Sequence, residues 1–94
     1  MKAIWNNIVI AETDQPIKFE GDFYFPYDSV KLQYMSKSGK VFSTPTRGVC
    51  EYYDIEVGGV IKKDGAWMCF NPRPGAQIIA NCFAFDKEVQ ISHS

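Results

Sequence analysis

The feature that most constrains this chain is its punctuation. Turn-forming residues recur at short intervals, and the segments between them are β-branched or aromatic and too short for stable helices. Asn6-Asn7 separates Ala3-Ile4-Trp5 from Ile8-Val9-Ile10, and such a pair tolerates the positive φ of a tight hairpin turn. Glu20-Gly21-Asp22 separates Ile17-Lys18-Phe19 from Phe23-Tyr24-Phe25. The clearest hairpin spans residues 52–63 around Gly58-Gly59. If the two glycines form the whole loop, Val57 faces Val60, Ile55 faces Lys62, Asp54 faces Lys63 and Tyr53 faces Asp64. Beyond Gly65, residues 66–70 read as a further strand. Phe83-Ala84-Phe85 and Val89-Gln90-Ile91, around Asp86-Lys87-Glu88, read as a last hairpin.

Helix is scarce. Pro26 can open one or two turns over residues 27–30, and residues 75–80, after Pro74 and before Asn81, form the better short helix. Residues 35–40 are rich in Ser, Lys and Gly and read as a mobile loop. With no linker or repeat, the expectation is one mostly β domain over residues 1–94, with 92–94 as a disordered tail.

An apolar share of 46%, with two Trp, five Tyr and seven Phe, provides a core despite the small size. Ten Lys and Arg against eleven Asp and Glu, without a basic cluster, give no field for phosphate-backbone binding, so nucleic acid is not an expected partner. No apolar run is long enough to span a membrane, and the N-terminus has no signal-peptide core. Cys50, Cys69 and Cys82 are odd in number and widely spaced. They read as buried free thiols in a reducing compartment, which places the protein in the cytoplasm.

The ordered set Glu20-Gly21, Tyr24-Phe25-Pro26, Ser43-Thr44-Pro45-Thr46-Arg47-Gly48, Tyr52-Tyr53, Asp64-Gly65-Ala66-Trp67, Asn71-Pro72 and Ala84-Phe85 resembles the DUF427 family. These are small domains of unknown function, sometimes labelled nucleotidyltransferase-like. The resemblance implies several bent, mixed β-sheets, similar to the β-tent or Mss4-like architecture. Many β-tent relatives hold zinc through two Cys-x-x-Cys pairs; this chain has none, so no metal and no other cofactor is expected. Where the family pattern carries a cysteine and a lysine before the glycine, this chain has Thr44 and Arg47, so the cation survives and the thiol does not. Nucleotidyltransfer needs paired metal-binding carboxylates on a strand. Asp54-Ile55-Glu56 is the nearest imitation and reads as a solvated face, so that activity is not expected.

Six residues are candidates for a site. Arg47, on a turn between Pro45 and Gly48, can hold a carboxylate or phosphate bidentately, or can pair structurally with Glu20, Glu51 or Asp64. Tyr24, Tyr53 and Trp67 can wall a pocket or simply fill the core. Glu20 and Asp64 can form a carboxylate pair for acid–base work, or cap turns and bind Arg47. His93 sits in the polar tail with no second histidine, which removes Ser/His/Asp and Cys/His arrangements. No catalytic residue can be assigned, and whether the chain is an enzyme stays open. The expected function is binding of a small anionic or aromatic metabolite in a pocket lined by these aromatics and Arg47. The alternative is a protein-interaction module that presents the same residues as an open patch.

Overall fold

The computed structural model describes residues 1–93. In chain order its strands are β1 (Lys2–Trp5), β2 (Ile8–Glu12), β3 (Ile17–Phe19), β4 (Asp22–Tyr24), β5 (Met35–Thr44), β6 (Gly48–Val57), β7 (Val60–Pro72), β8 (Phe83–Phe85) and β9 (Gln90–Ser92). They form three antiparallel sheets, ordered β2-β1-β9, β3-β4 and β5-β6-β7-β8. The sheets are antiparallel rather than mixed; the one parallel contact among the described residues is an isolated bridge between Cys69 and Ala80. Among the described residues helical structure is limited to lone 3-10 turns, at Tyr27–Ser29, Leu32–Tyr34 and Gln77–Ile79, the first and last inside the two segments expected to be helical.

The tight turns follow their residues. Asn6 and Asn7 have φ of 49° and 65°, and Trp5 faces Ile8 across them. Gly58-Gly59 is a two-residue loop that sets Val57 opposite Val60 and Ile55 opposite Lys62. The register then slips. Asp64 takes φ 53° in a bulge, so Tyr53 faces Ala66 instead of Asp64. The bulge is held by Asp54, whose carboxylate accepts the Asp64 N–H at 2.8 Å and meets Lys63 Nζ at 3.2 Å. Between β3 and β4 only Glu20 and Gly21 form the loop; Asp22 is already a strand residue facing Phe19.

Three further segments differ from the sequence reading. Residues 35–40 are strand, not mobile loop, because their main chain pairs with β6 from Met35 opposite Ile55 to Lys37 opposite Tyr53. A slip before Val41 follows, around Gly39. β8 and β9 are not a hairpin: β8 pairs with β7, and β9 crosses to pair with β1. All three β8 residues are buried and need cover on both faces, whereas Gln90 of β9 is exposed at a sheet edge. Ser92 lies in β9 and His93 packs edge-on against the Phe23 ring at 5.6 Å; Ser94 lies outside the described residues.

The four-stranded sheet is covered on both faces. Along β7, Ala66 and Met68 face a core built with Ile10, Ala11, Phe25, Phe83 and Phe85, against the β1–β2 hairpin. Trp67 and Cys69 face the other way, into Tyr24, Cys50, Ala76, Ile79 and Cys82, beneath the β3–β4 hairpin and the last 3-10 turn. The segment that follows β4 is tied to β8 by reciprocal bonds between Phe25 and Phe83, with Phe25 N–H to Phe83 O at 2.7 Å and Phe83 N–H to Phe25 O at 2.9 Å. Each large apolar side chain fully buried here contributes about 1.5–3 kcal/mol.

Cys50 and Cys69 are cross-strand partners joined by a disulfide, and Cys82 is the free, buried thiol. This corrects the reading of three free thiols. The bulge between Val49 and Cys50 sets the pair opposite one another, which the 19-residue separation does not reveal. The inference of a reducing compartment from three free thiols loses its basis. Alkylation of the oxidised, denatured protein should label Cys82 alone, with all three cysteines labelled after reduction. Replacing both Cys50 and Cys69 with Ser should cost about 3 kcal/mol in urea unfolding. Gly48, at φ 92°, lies where an added Cβ would clash with Asn71 O and fall 2.7 Å from Arg73 N. Gly48→Ala should therefore destabilise by on the order of 3 kcal/mol, read by the same unfolding curves.

Candidate functional site

The β3–β4 loop and the turn between β5 and β6 meet at Arg47. Gly48 is pressed against Pro72, and Arg47 O accepts the Arg73 N–H at 3.1 Å. The Arg47 N–H donates to Thr44 Oγ1 at 2.9 Å, which fixes the turn from the other side. From this rigid base the guanidinium reaches the hairpin. Nη2 donates to Asp22 Oδ2 at 3.0 Å, and Nε faces Glu20 Oε1 at 3.4 Å without an aligned hydrogen bond. Thr46 Oγ1 donates to the same Glu20 oxygen at 2.9 Å. These bonds hold Glu20 at φ 51°, an uncommon conformation for a side-chain-bearing residue.

Beneath the ion pairs lies an aromatic layer. Trp67 Nε1 donates to the hydroxyl of fully buried Tyr24 at 3.1 Å, and the two rings meet edge to face at 6.4 Å. Phe19 packs edge-on against the other side of Tyr24. Burial pushes the Tyr24 hydroxyl above its ordinary pKa, opposed by the Trp67 hydrogen bond and by the charge of Arg47. Four of the six candidates, Glu20, Tyr24, Arg47 and Trp67, are thus brought together.

Tyr53 and Asp64 are not with them. Tyr53 faces the opposite core, edge-on to Phe83 at 5.0 Å, and burial raises its pKa. Asp64 sits on the β7 bulge beside Lys40 at 3.0 Å. The Ser38 hydroxyl, followed by Lys40, holds its carboxyl below the ordinary range. Glu20 and Asp64 therefore serve different cations and do not form a carboxylate pair. Glu51, the third partner considered for Arg47, pairs with Lys37 at 3.7 Å.

The Arg47 cluster is closed. Its charges meet one another and its aromatics are packed. A cleft of about 360 Å³ opens instead on the other side of Asp22, between the β3–β4 hairpin and the connection from β8 to β9. Gly21, Asp22 and Phe23 form one wall, and Phe85, Asp86 and Lys87 stand on the other. None of the six candidates lines it. Asp22 was missed because it read as a turn residue, although its place beside Glu20, the partner already considered for Arg47, was a usable signal. Lys87 and Phe23 gave no signal, because only the crossing of the chain to β9 brings their segments together.

Among the described residues no group of three or more His, Cys, Asp or Glu side chains converges as a metal site. Asp54 is committed to Lys63 and the Asp64 N–H, and Glu56 is exposed. No helix of the described residues is long and apolar enough to cross a membrane.

The chain belongs to the family described as a domain of unknown function, DUF427, whose model matches residues 1–93 over its whole length. The nucleotidyltransferase label is the name of that family model, not an observed activity. A search of curated proteins returned no match.

Two substitutions test the cluster. Arg47→Gln should lower stability by only about 1 kcal/mol, because both carboxylates it leaves behind are partly open to water. A loss of 3–5 kcal/mol, as expected for a stranded buried charge, would contradict this. Tyr24→Phe removes the acceptor of the Trp67 N–H and should cost about 1–3 kcal/mol. The raised pKa also sets a pH dependence: the unfolded chain loses the phenolic proton first, so stability falls as pH rises past the ordinary tyrosine value of 10.0. Unfolding curves for Tyr24→Phe should show a shallower alkaline decline than those of the parent.

Proposed function

We propose that this domain binds a small metabolite, and that the ligand seat is the cleft beside the Arg47 cluster rather than the cluster itself. The observation that carries this reading is concavity. A cleft of about 360 Å³ falls within the range of small-molecule sites, and it joins apolar walls, Phe23 and Phe85, to a few polar groups. Burial of Tyr24 favours the same reading over an interaction module, since a side chain with no exposed surface cannot be shown to a protein partner. Arg47 then has an indirect part. It holds Asp22, and through Asp22 the wall of the cleft. No reaction is assigned to the site.

For location, a cytoplasmic protein would carry Cys50 and Cys69 as thiols, so the redox state of this pair in protein trapped directly from cells reads the compartment.

A thermal-shift screen of the purified chain against a metabolite library, nucleotides included, tests the proposal. A ligand present at 100 times its Kd adds about 2.7 kcal/mol of stability. Hits should perturb the backbone amides of Asp22, Phe23 and Lys87 in NMR spectra and leave Tyr53 and Asp64 unmoved. If no metabolite shifts the melt, or if hits cluster away from the cleft, the reading is wrong.

A further inference from the structure

We infer that the cleft takes a small amphipathic monoanion, with its apolar body against Phe23 and its carboxylate at Lys87. This rests on the cleft being the ligand seat. The carboxylates of the walls are already engaged. Asp22 is held from behind by Arg47 at 3.0 Å. Asp86 accepts the Glu88 N–H at 3.0 Å and lies 3.7 Å from Lys62, which also meets Glu88 at 3.3 Å. Lys87, by contrast, has no ion-pair or hydrogen-bond partner among the described residues, and it is exposed at the rim. The unpaired charged group that the cleft offers is therefore an ammonium with three donors, and the exposed side-chain amide of Gln90 also lines the cleft.

The apolar side has a complementary character. Phe23 carries Lys18 over its ring at 5.7 Å and His93 edge-on at 5.6 Å, so one face of the aromatic wall is also beside a cation that lacks a carboxylate partner among the described residues. Phe85 and Ile91 continue the apolar surface from the opposite side. Of the charged residues that line the cleft, Asp22 and Asp86 are paired by Arg47 and Lys62 from outside it, which leaves Lys87 as the unpaired charge. The choice of ligand falls to contact: an unpaired cation next to aromatic surface selects an anion with an apolar body.

The test uses the full chain and two probes of nearly equal shape and opposite charge, hydrocinnamate and 3-phenylpropylamine. Hydrocinnamate should shift the amides of Asp22, Phe23 and Ile91 saturably, and the amine should bind more weakly. Lys87→Gln should weaken hydrocinnamate by up to about fivefold and Lys87→Arg should restore it, since an exposed pair contributes up to about 1 kcal/mol. Lys87 is exposed, so neither variant disturbs the core. Equal or tighter binding of the amine in the cleft, or unchanged affinity in Lys87→Gln, overturns the inference while leaving the cleft as a ligand seat. If neither probe perturbs the cleft and the metabolite screen is also blank, both readings fall.

Discussion

A single sheet that must be dry on both faces governs this structure. Ala66 and Met68 alternate with Trp67 and Cys69 along β7, so the middle of the strand presents an apolar surface to each side. A chain of this size has no long helices with which to cover such a sheet. Short segments have to do it: the β1–β2 hairpin with β9 on one face, and the β3–β4 hairpin with the Gln77–Ile79 turn on the other. Small covers have little area of their own, and each is fastened by specific polar contacts. Trp5 Nε1 donates to Val60 O and Asn6 Nδ2 to Val57 O on the first face. Arg47 with Asp22 and Glu20, above the Trp67–Tyr24 bond, fastens the second.

This need for fastening explains why residues with the look of a binding site turn out to hold the fold. An arginine on a turn between proline and glycine, two carboxylates nearby, and a tyrosine with a tryptophan also describe a ligand pocket. The difference lies in how their hydrogen bonds close. Trp67 is satisfied by Tyr24 and Thr46 by Glu20, and Arg47 commits Nη2 to Asp22 while its buried Nε faces Glu20 without a hydrogen bond, so the cluster has little left to offer a ligand. The cleft is the converse case. Its walls come from two segments far apart in sequence, neither notable in composition, and what distinguishes it is unfilled space beside an unpaired lysine.

What could be read from the sequence divides along the same line. Turns set by local chemistry were legible: Asn6-Asn7 and Gly58-Gly59 adopt the positive φ their residues favour, and the hairpin register near Gly58 follows from loop length alone. Features set by pairing at a distance were not. Residues 35–40 carry no strand signal and are strand because β6 lies beside them. The bulge at Asp64 put Ala66 rather than Asp64 opposite Tyr53, and a bulge between Val49 and Cys50 set up a disulfide that spacing did not announce. The Arg47 cluster was half legible, since Glu20 could be named as a partner from charge and order while Asp22 was hidden by one residue of turn length.

On the proposed reading, stability and selectivity in this domain share their parts. Arg47 pins the hairpin by holding Asp22, and in doing so it takes from the cleft a carboxylate that would otherwise face in uncompensated. Lys62 does the same for Asp86 from the β7 side, where it also steadies the connection that carries Lys87. Losing either cation would loosen a wall and at the same time expose a negative charge beside the ligand. The preference for an anion would then weaken even though Lys87 is unchanged. A substitution at Arg47 that lowers affinity is therefore no sign that Arg47 touches the ligand.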